Sequence, residues 1–236
     1  MVVAILSLLL TLLAPSLGKA RQLAWTMKCS TNLHAIGRAS YLYAADHRNY
    51  VPRDFWYNPD VGVPGASDFG HYFFAWCFSP YLAGPAMPRS YMTGDDEMYA
   101  ALRKMPVYRC PAVRDKTFVL TYVANGTDYA VYARSRTYTS SAVSRIDDLP
   151  ASPSLVAYIW ELNLTVPCDY FGVYDFFDPT QVTYWNGVPN LSSRTIRFDD
   201  PRHDGRTTMS FFDGHAETRD LVASQFPNRL LNPLEK

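Results

Sequence analysis

The sequence predicts an α+β protein in which one long N-terminal helix carries a mostly β domain. Three observations lead there. Residues Met1 to Leu17 (MVVAILSLLLTLLAPSL) carry no charge, and helical periodicity continues beyond them to about Ala45. The rest of the chain is rich in rings, with 17 Tyr, 13 Phe and 5 Trp in the whole sequence, and such residues favour strands and half-buried surfaces. Near the C-terminus, Thr207 to Phe212, Asp213-Gly214 and His215 to Leu221 read as strand, tight turn and return strand.

The uncharged run of Met1 to Leu17 would reach about 26 Å as a helix, close to the roughly 30 Å of a bilayer's hydrocarbon core. Pro15 removes one helical hydrogen bond and can kink the segment. Lys19 and Arg21 follow, and then Leu23, Met27, Leu33, Ile36, Ser40 and Tyr43 or Ala44 continue one apolar stripe at three- and four-residue steps. Asp46-His47-Arg48-Asn49 and Val51-Pro52 supply the stop. A helix over residues 1–46, about 70 Å long, has the shape of a membrane anchor and stalk whose outer half lies on a domain formed by residues 47–236. The competing reading is a cleaved signal peptide, with Gly18-Lys19-Ala20 as a loose cleavage site. Against it, no Lys or Arg precedes the run, and Lys19 sits badly in a small-residue motif.

Along the body, Asn58 to Ser67 reads as loop, and His71 to Leu82 as a buried helix or strand that its period does not decide. Asp95 to Met105 reads as a short helix with acidic residues first and basic residues last. Val107 to Cys110, Thr117 to Ala124, Asp128 to Ala133 and Ser154 to Trp160 are strand candidates. Pro167 to Asp200 shows little periodicity and reads as a long irregular insertion.

Composition excludes several function classes. Lys plus Arg and Asp plus Glu balance at 22 each, so no basic field attracts nucleic acid. The sequence carries no G-x-S-x-G, H-E-x-x-H or Gly-rich phosphate loop, and its five scattered histidines form no triad, which points away from an enzyme. Cys29, Cys77, Cys110 and Cys168 are too widely spaced for a zinc ribbon or a C-x-x-C pair. They allow two disulfides in any of three pairings, or four buried thiols acting as small hydrophobes.

The sharpest local signal closes the chain: His203, nine residues, then Asp213-Gly214. Around it stand Leu12 to Arg53 with Cys29, Asn32 and Leu33, then Tyr108-Arg109-Cys110-Pro111, Thr121 to Asn125, and Met209 to His215. In this order they resemble the prepilin-type proteins with an H-x(9)-D-G processing-associated domain, a type II secretion pseudopilin-like family of bacteria. Asn58 to Ser90 and Pro167 to Arg197 match that pattern poorly.

The resemblance implies a type IV pilin-like fold, with the long helix packed on an antiparallel sheet. It implies a pseudopilin-like subunit of a type II secretion or type IV pilus-like assembly, contacting other pilin-like subunits and the inner membrane through its N-terminal helix. The domain would lie in the periplasm or outside the cell. Such prepilins start with a basic leader, Gly and a Phe-Thr-Leu-Ile-Glu-type segment, which this sequence does not show. Seven such residues ahead of Met1 would bring Pro15 to the position of the pilin mid-helix proline, so an upstream start is expected. The alternative function is a membrane-tethered binding module for a glycan or cell-envelope partner, using exposed Tyr and Trp.

The resemblance singles out Cys29 and Cys110 as a disulfide tying stalk to sheet, leaving Cys77 with Cys168. For metals, His203, Asp213 and His215 form a candidate set, His with Asp suiting zinc, and Asp199, Asp200 and Asp204 suit calcium. The alternative is that Asp213 and Gly214 only make the turn while His203 hydrogen-bonds backbone near the hairpin.

Overall fold

The computed structural model describes residues 2–52, 74–84, 100–114, 120–125, 133–135, 143–161, 176–177 and 201–220. A single helix, α1, runs over Val2–Asp46 with Pro15 inside it. Residues 2–21 are exposed throughout, whereas Cys29, Asn32, Leu33, Ile36, Gly37, Ala39, Ser40, Tyr43 and Ala44 are buried. The buried set recurs at three- and four-residue steps, the stripe that one face of a helix lays on a core. The apolar first part therefore projects from the domain, and it is long and apolar enough to cross a membrane.

Beyond α1 come β1 (Tyr50–Pro52), α2 (Phe74–Phe78), β2 (Tyr122–Asn125), β3 (Val143–Arg145), β4 (Ala157–Glu161), β5 (Phe176–Phe177), β6 (Arg206–Phe211) and β7 (Ala216–Asp220). The main sheet has the order β5-β2-β4-β6-β7. Its β2, β4, β6 and β7 pair antiparallel, and β5 joins β2 in parallel. β1 and β3 form a separate antiparallel pair. The protein is thus α+β, a long N-terminal helix laid on an antiparallel sheet.

The aromatic run around Phe74 folds as α2 followed by a 3-10 turn over Ser79–Leu82, which settles the helix-or-strand ambiguity. Val107 to Cys110 is not a strand. Pro106 fixes φ and lacks the N–H that a ladder needs, and Pro106–Tyr108 is a 3-10 turn that buries Tyr108. The Tyr108 hydroxyl then donates to the Ala75 carbonyl at 2.8 Å. Residues 100–103 are helical. Residues 95–99, Asn58 to Ser67 and nearly all of Asp128 to Ala133 lie outside the described residues.

β4 carries the centre of the core. All five of its residues are buried, and Tyr158 stacks on Phe212 with ring centroids 4.4 Å apart. A register shift between Ala157 and Ile159 bends β4 against β6. The helix packs on β6, β7 and β4, so everything held between α1 and the sheet is shielded from water.

Candidate metal and thiol centre

Four ionisable side chains from four different elements meet in the space between α1 and the sheet. Cys29 comes from the buried stripe of α1, Cys110 from the extended chain after the 3-10 turn, Glu161 from the end of β4, and His203 from the 3-10 turn Pro201–His203 that precedes β6. Their exposures are 0%, 1%, 3% and 1%. One ligand atom from each lies within 4.8 Å of all the others.

The local bonds are directional. His203 Nε2 stands 2.8 Å from Glu161 Oε1 and 3.1 Å from Cys110 Sγ, while Nδ1 lies 3.0 Å from the Thr26 hydroxyl. Thr26 is on the same helix face as Cys29, one turn earlier, so one face of α1 supplies both a sulfur and the group that orients the ring. The backbone N–H of Thr208 in β6 donates to Glu161 Oε2 at 3.0 Å. The Cys110 N–H donates to Thr121 Oγ1 at 2.7 Å. The Cys29 and Cys110 sulfurs are 2.6 Å apart.

Burial, followed by the neighbouring Cys110 and Glu161, pushes the Cys29 thiol far above its ordinary range. The Cys29 thiol donating to it lowers Cys110 to about 7 against the opposing effect of burial, and His203 assists. Burial disfavours a charged His203, but its bonds to Cys110 and Glu161 outweigh that and push it up to about 9. Burial likewise opposes a charged Glu161, yet His203, Arg202 and the Thr208 N–H hold its carboxyl below the usual range. The centre therefore favours a charged His203 between the anionic Glu161 and an acidified Cys110, with Cys29 held as the protonated thiol that donates to Cys110.

The candidate set His203, Asp213 and His215 does not converge. His203 lies before β6 and Asp213 after it, and a six-residue strand spans about 20 Å. Asp213 and His215 do meet, with Oδ1 and Nδ1 2.5 Å apart, but on the surface, with side chains 38% and 41% exposed. Asp213 Oδ1 also accepts the His215 N–H at 3.1 Å, which closes the turn, and Gly214 takes φ +86°. His203 bonds side chains in the buried cluster instead. For calcium, Asp204 is an exposed turn residue with φ +60°, and Asp199 and Asp200 lie outside the described residues.

Of the cysteines, the structure brings Cys29 to Cys110. Cys77 is buried in α2 beside Tyr43, and Cys168 lies outside the described residues. Sequence reading missed Glu161 and Thr26. The signal for Glu161 was an acidic residue closing the otherwise unbroken run Val156 to Trp160; Thr26 gave none.

The two ends of the H-x(9)-D-G segment both touch α1. His203 meets Thr26, and Gly214 packs against Gly37. β6 therefore runs alongside α1 in the same direction, and the spacing of the motif matches the spacing of its two docking points on the helix. Comparison of the chain with protein-family models, with curated proteins and with solved structures gave no match.

Proposed function

We propose that the protein is a pseudopilin-like structural subunit, in which the exposed first part of α1 anchors in the inner membrane and packs with other pilin-like subunits. In this reading the fold is pilin-like, and the sheet domain projects into the periplasm or outside the cell. One observation carries it: a single unbroken helix is apolar and exposed over residues 2–17, then buried on one face from Cys29 to Ala44. A helix hydrophobic all round with no protein against it needs lipid or other helices as its solvent. The second half fixes the domain rigidly to that anchor, the mechanical requirement of a subunit that transmits force from membrane to filament.

The test places one added cysteine at Leu6, Leu9 or Leu13 in a Cys77→Ser, Cys168→Ser background, in which the remaining Cys29 and Cys110 are buried, and applies a membrane-permeable thiol crosslinker to cells. The chain should resist alkaline carbonate extraction, and the helix should crosslink to copies of itself or to other small membrane proteins. Extraction into the soluble fraction, or a helix that crosslinks to nothing but lipid, would overturn the subunit reading.

A further inference from the structure

We propose that Cys29, Cys110, Glu161 and His203 form a buried divalent-metal site, with zinc the ion that suits the donor set, clamping α1 to the sheet. The proposal stands on the geometry of the cluster and is independent of the membrane reading.

The donors are two sulfurs, one imidazole nitrogen and one carboxylate oxygen, a combination that zinc takes in tetrahedral sites. Two thiolates at about 2.3 Å from one zinc stand about 3.7 Å apart. The two sulfurs would thus separate by about 1 Å, well inside the 4.8 Å envelope that contains all four ligand atoms. All four side chains are nearly inaccessible to solvent, and no position faces water. Such a closed site is structural, with no room for a substrate.

The surrounding bonds are those a metal site needs. His203 turns Nε2 inward while Thr26 holds Nδ1, and the Thr208 N–H holds the outer oxygen of Glu161. Without an ion, Nε2 faces both Cys110 Sγ and Glu161 Oε1, and its single hydrogen cannot serve both. A disulfide would use the two sulfurs but leave His203 and Glu161 as a buried polar pair beside a neutral bridge. An ion satisfies all four at once. Loading displaces the protons on the two sulfurs and the proton on His203 Nε2 into solvent, leaving two thiolates, a carboxylate and a neutral imidazole around the ion, so the loaded centre carries one net negative charge. Arg202 lies near enough to act electrostatically on Cys110 and Glu161.

The test uses the full chain, purified in detergent with a thiol-free reductant, and cobalt(II) as a spectroscopic stand-in for zinc. We expect about one equivalent of zinc per chain. Cobalt should give an intense tetrahedral d–d spectrum with a thiolate-to-metal charge-transfer band. Cys29→Ser and Cys110→Ser should abolish that band, and Cys77→Ser should retain it. Thr26→Val, which touches no metal, should weaken binding by about 10–100-fold through loss of ring orientation. If the cysteine variants do not fold, the spectrum of the unsubstituted chain decides. A reduced, folded chain that binds neither ion overturns the site, as does a native Cys29–Cys110 disulfide whose reduction yields no cobalt spectrum.

Discussion

Gly37 of α1 and Gly214 of the β6–β7 turn touch backbone to backbone. A Cβ on Gly37 would lie 2.7 Å from the Gly214 carbonyl oxygen and would collide with Ser210 Oγ, and one on Gly214 would lie 3.0 Å from the Gly37 carbonyl oxygen. The glycine of the hairpin turn therefore has two jobs, a left-handed φ of +86° and a close approach to the helix.

Four glycines separate these effects. Gly18 is in the same helix with nothing near it, so Gly18→Ala should gain up to about 1 kcal/mol of helix propensity. Gly37→Ala gains the same propensity but meets backbone, and overpacking of about 1–3 kcal/mol wins. Gly205 has φ +75° in open space, so its alanine variant should lose only the conformational cost of about 1–2 kcal/mol. Gly214→Ala should be the worst of the four. Thermal unfolding in detergent, at about 2–4 °C per kcal/mol, ranks them. Equal losses for Gly205→Ala and Gly214→Ala would show that the contact with Gly37 contributes nothing.

Asn32 links the helix to the chain around Cys110. It is 4% exposed, and Nδ2 donates to the Arg109 carbonyl at 3.0 Å. Asn32→Leu leaves that carbonyl without this donor, at a cost of about 1–3 kcal/mol. The exposed Arg145–Asp147 pair is a useful contrast. It is 2.7 Å long with side chains 44% and 47% exposed, and Asp147→Asn should change stability by less than about 1 kcal/mol. Urea unfolding midpoints measured in parallel would check the ordering.

How much of this was legible in the sequence depends on the range of each interaction. The stalk was readable because Leu33, Ile36, Ser40 and Tyr43 repeat at the helical period, and the hairpin because Asp213-Gly214 is a strong turn dipeptide. Leu23 and Met27 of the same expected stripe are exposed, because the domain buries the helix only from Cys29 onward. β1 and β3 were not readable, since three-residue strands carry no period of their own. His203, Asp213 and His215 are close in sequence, but the strand between them keeps His203 away from the surface pair. An extended strand separates His203 from Asp213 more effectively than a long tertiary detour separates it from Cys29. Glu161 escaped notice because an acidic residue ending an apolar strand ordinarily marks the return to solvent.

Alkaline pH should destabilise the protein through buried groups other than the four of the cysteine–histidine centre. Burial pushes Cys77 from 9.0 up to about 12, and burial together with the Asp46 hydrogen bond takes Tyr81 from 10.0 to about 12. Burial also raises Tyr43 and Tyr108. In each case the folded chain keeps a proton that the unfolded chain loses, so stability falls as pH rises. The contribution is fully present below pH 9.0 for Cys77 and below 10.0 for the tyrosines, and it declines above those values. Unfolding free energies that stay level between about pH 8 and 11 would contradict the burial of these groups. Native Cys77 should also resist alkylation until the chain unfolds.

The spacing of His203 and Gly214 should be as critical as their identity. Both ends of β6 dock on α1, at Thr26 and at Gly37, so the strand works as a ruler held at two points. Inserting one residue between Met209 and Ser210 reverses which face the downstream side chains occupy. Ser210 would turn away from Gly37 and Phe211 would turn towards the helix, and either His203 or Gly214 would lose its place on α1. Inserting two residues restores the facing but still displaces one end by about 7 Å. Since a domain of this size has only about 5–15 kcal/mol of net stability, neither insertion should give a protease-resistant fold. Limited proteolysis of the full chain reads this directly. A two-residue insertion that kept both native resistance and the burial of His203 would show that the helix does not fix the register of β6.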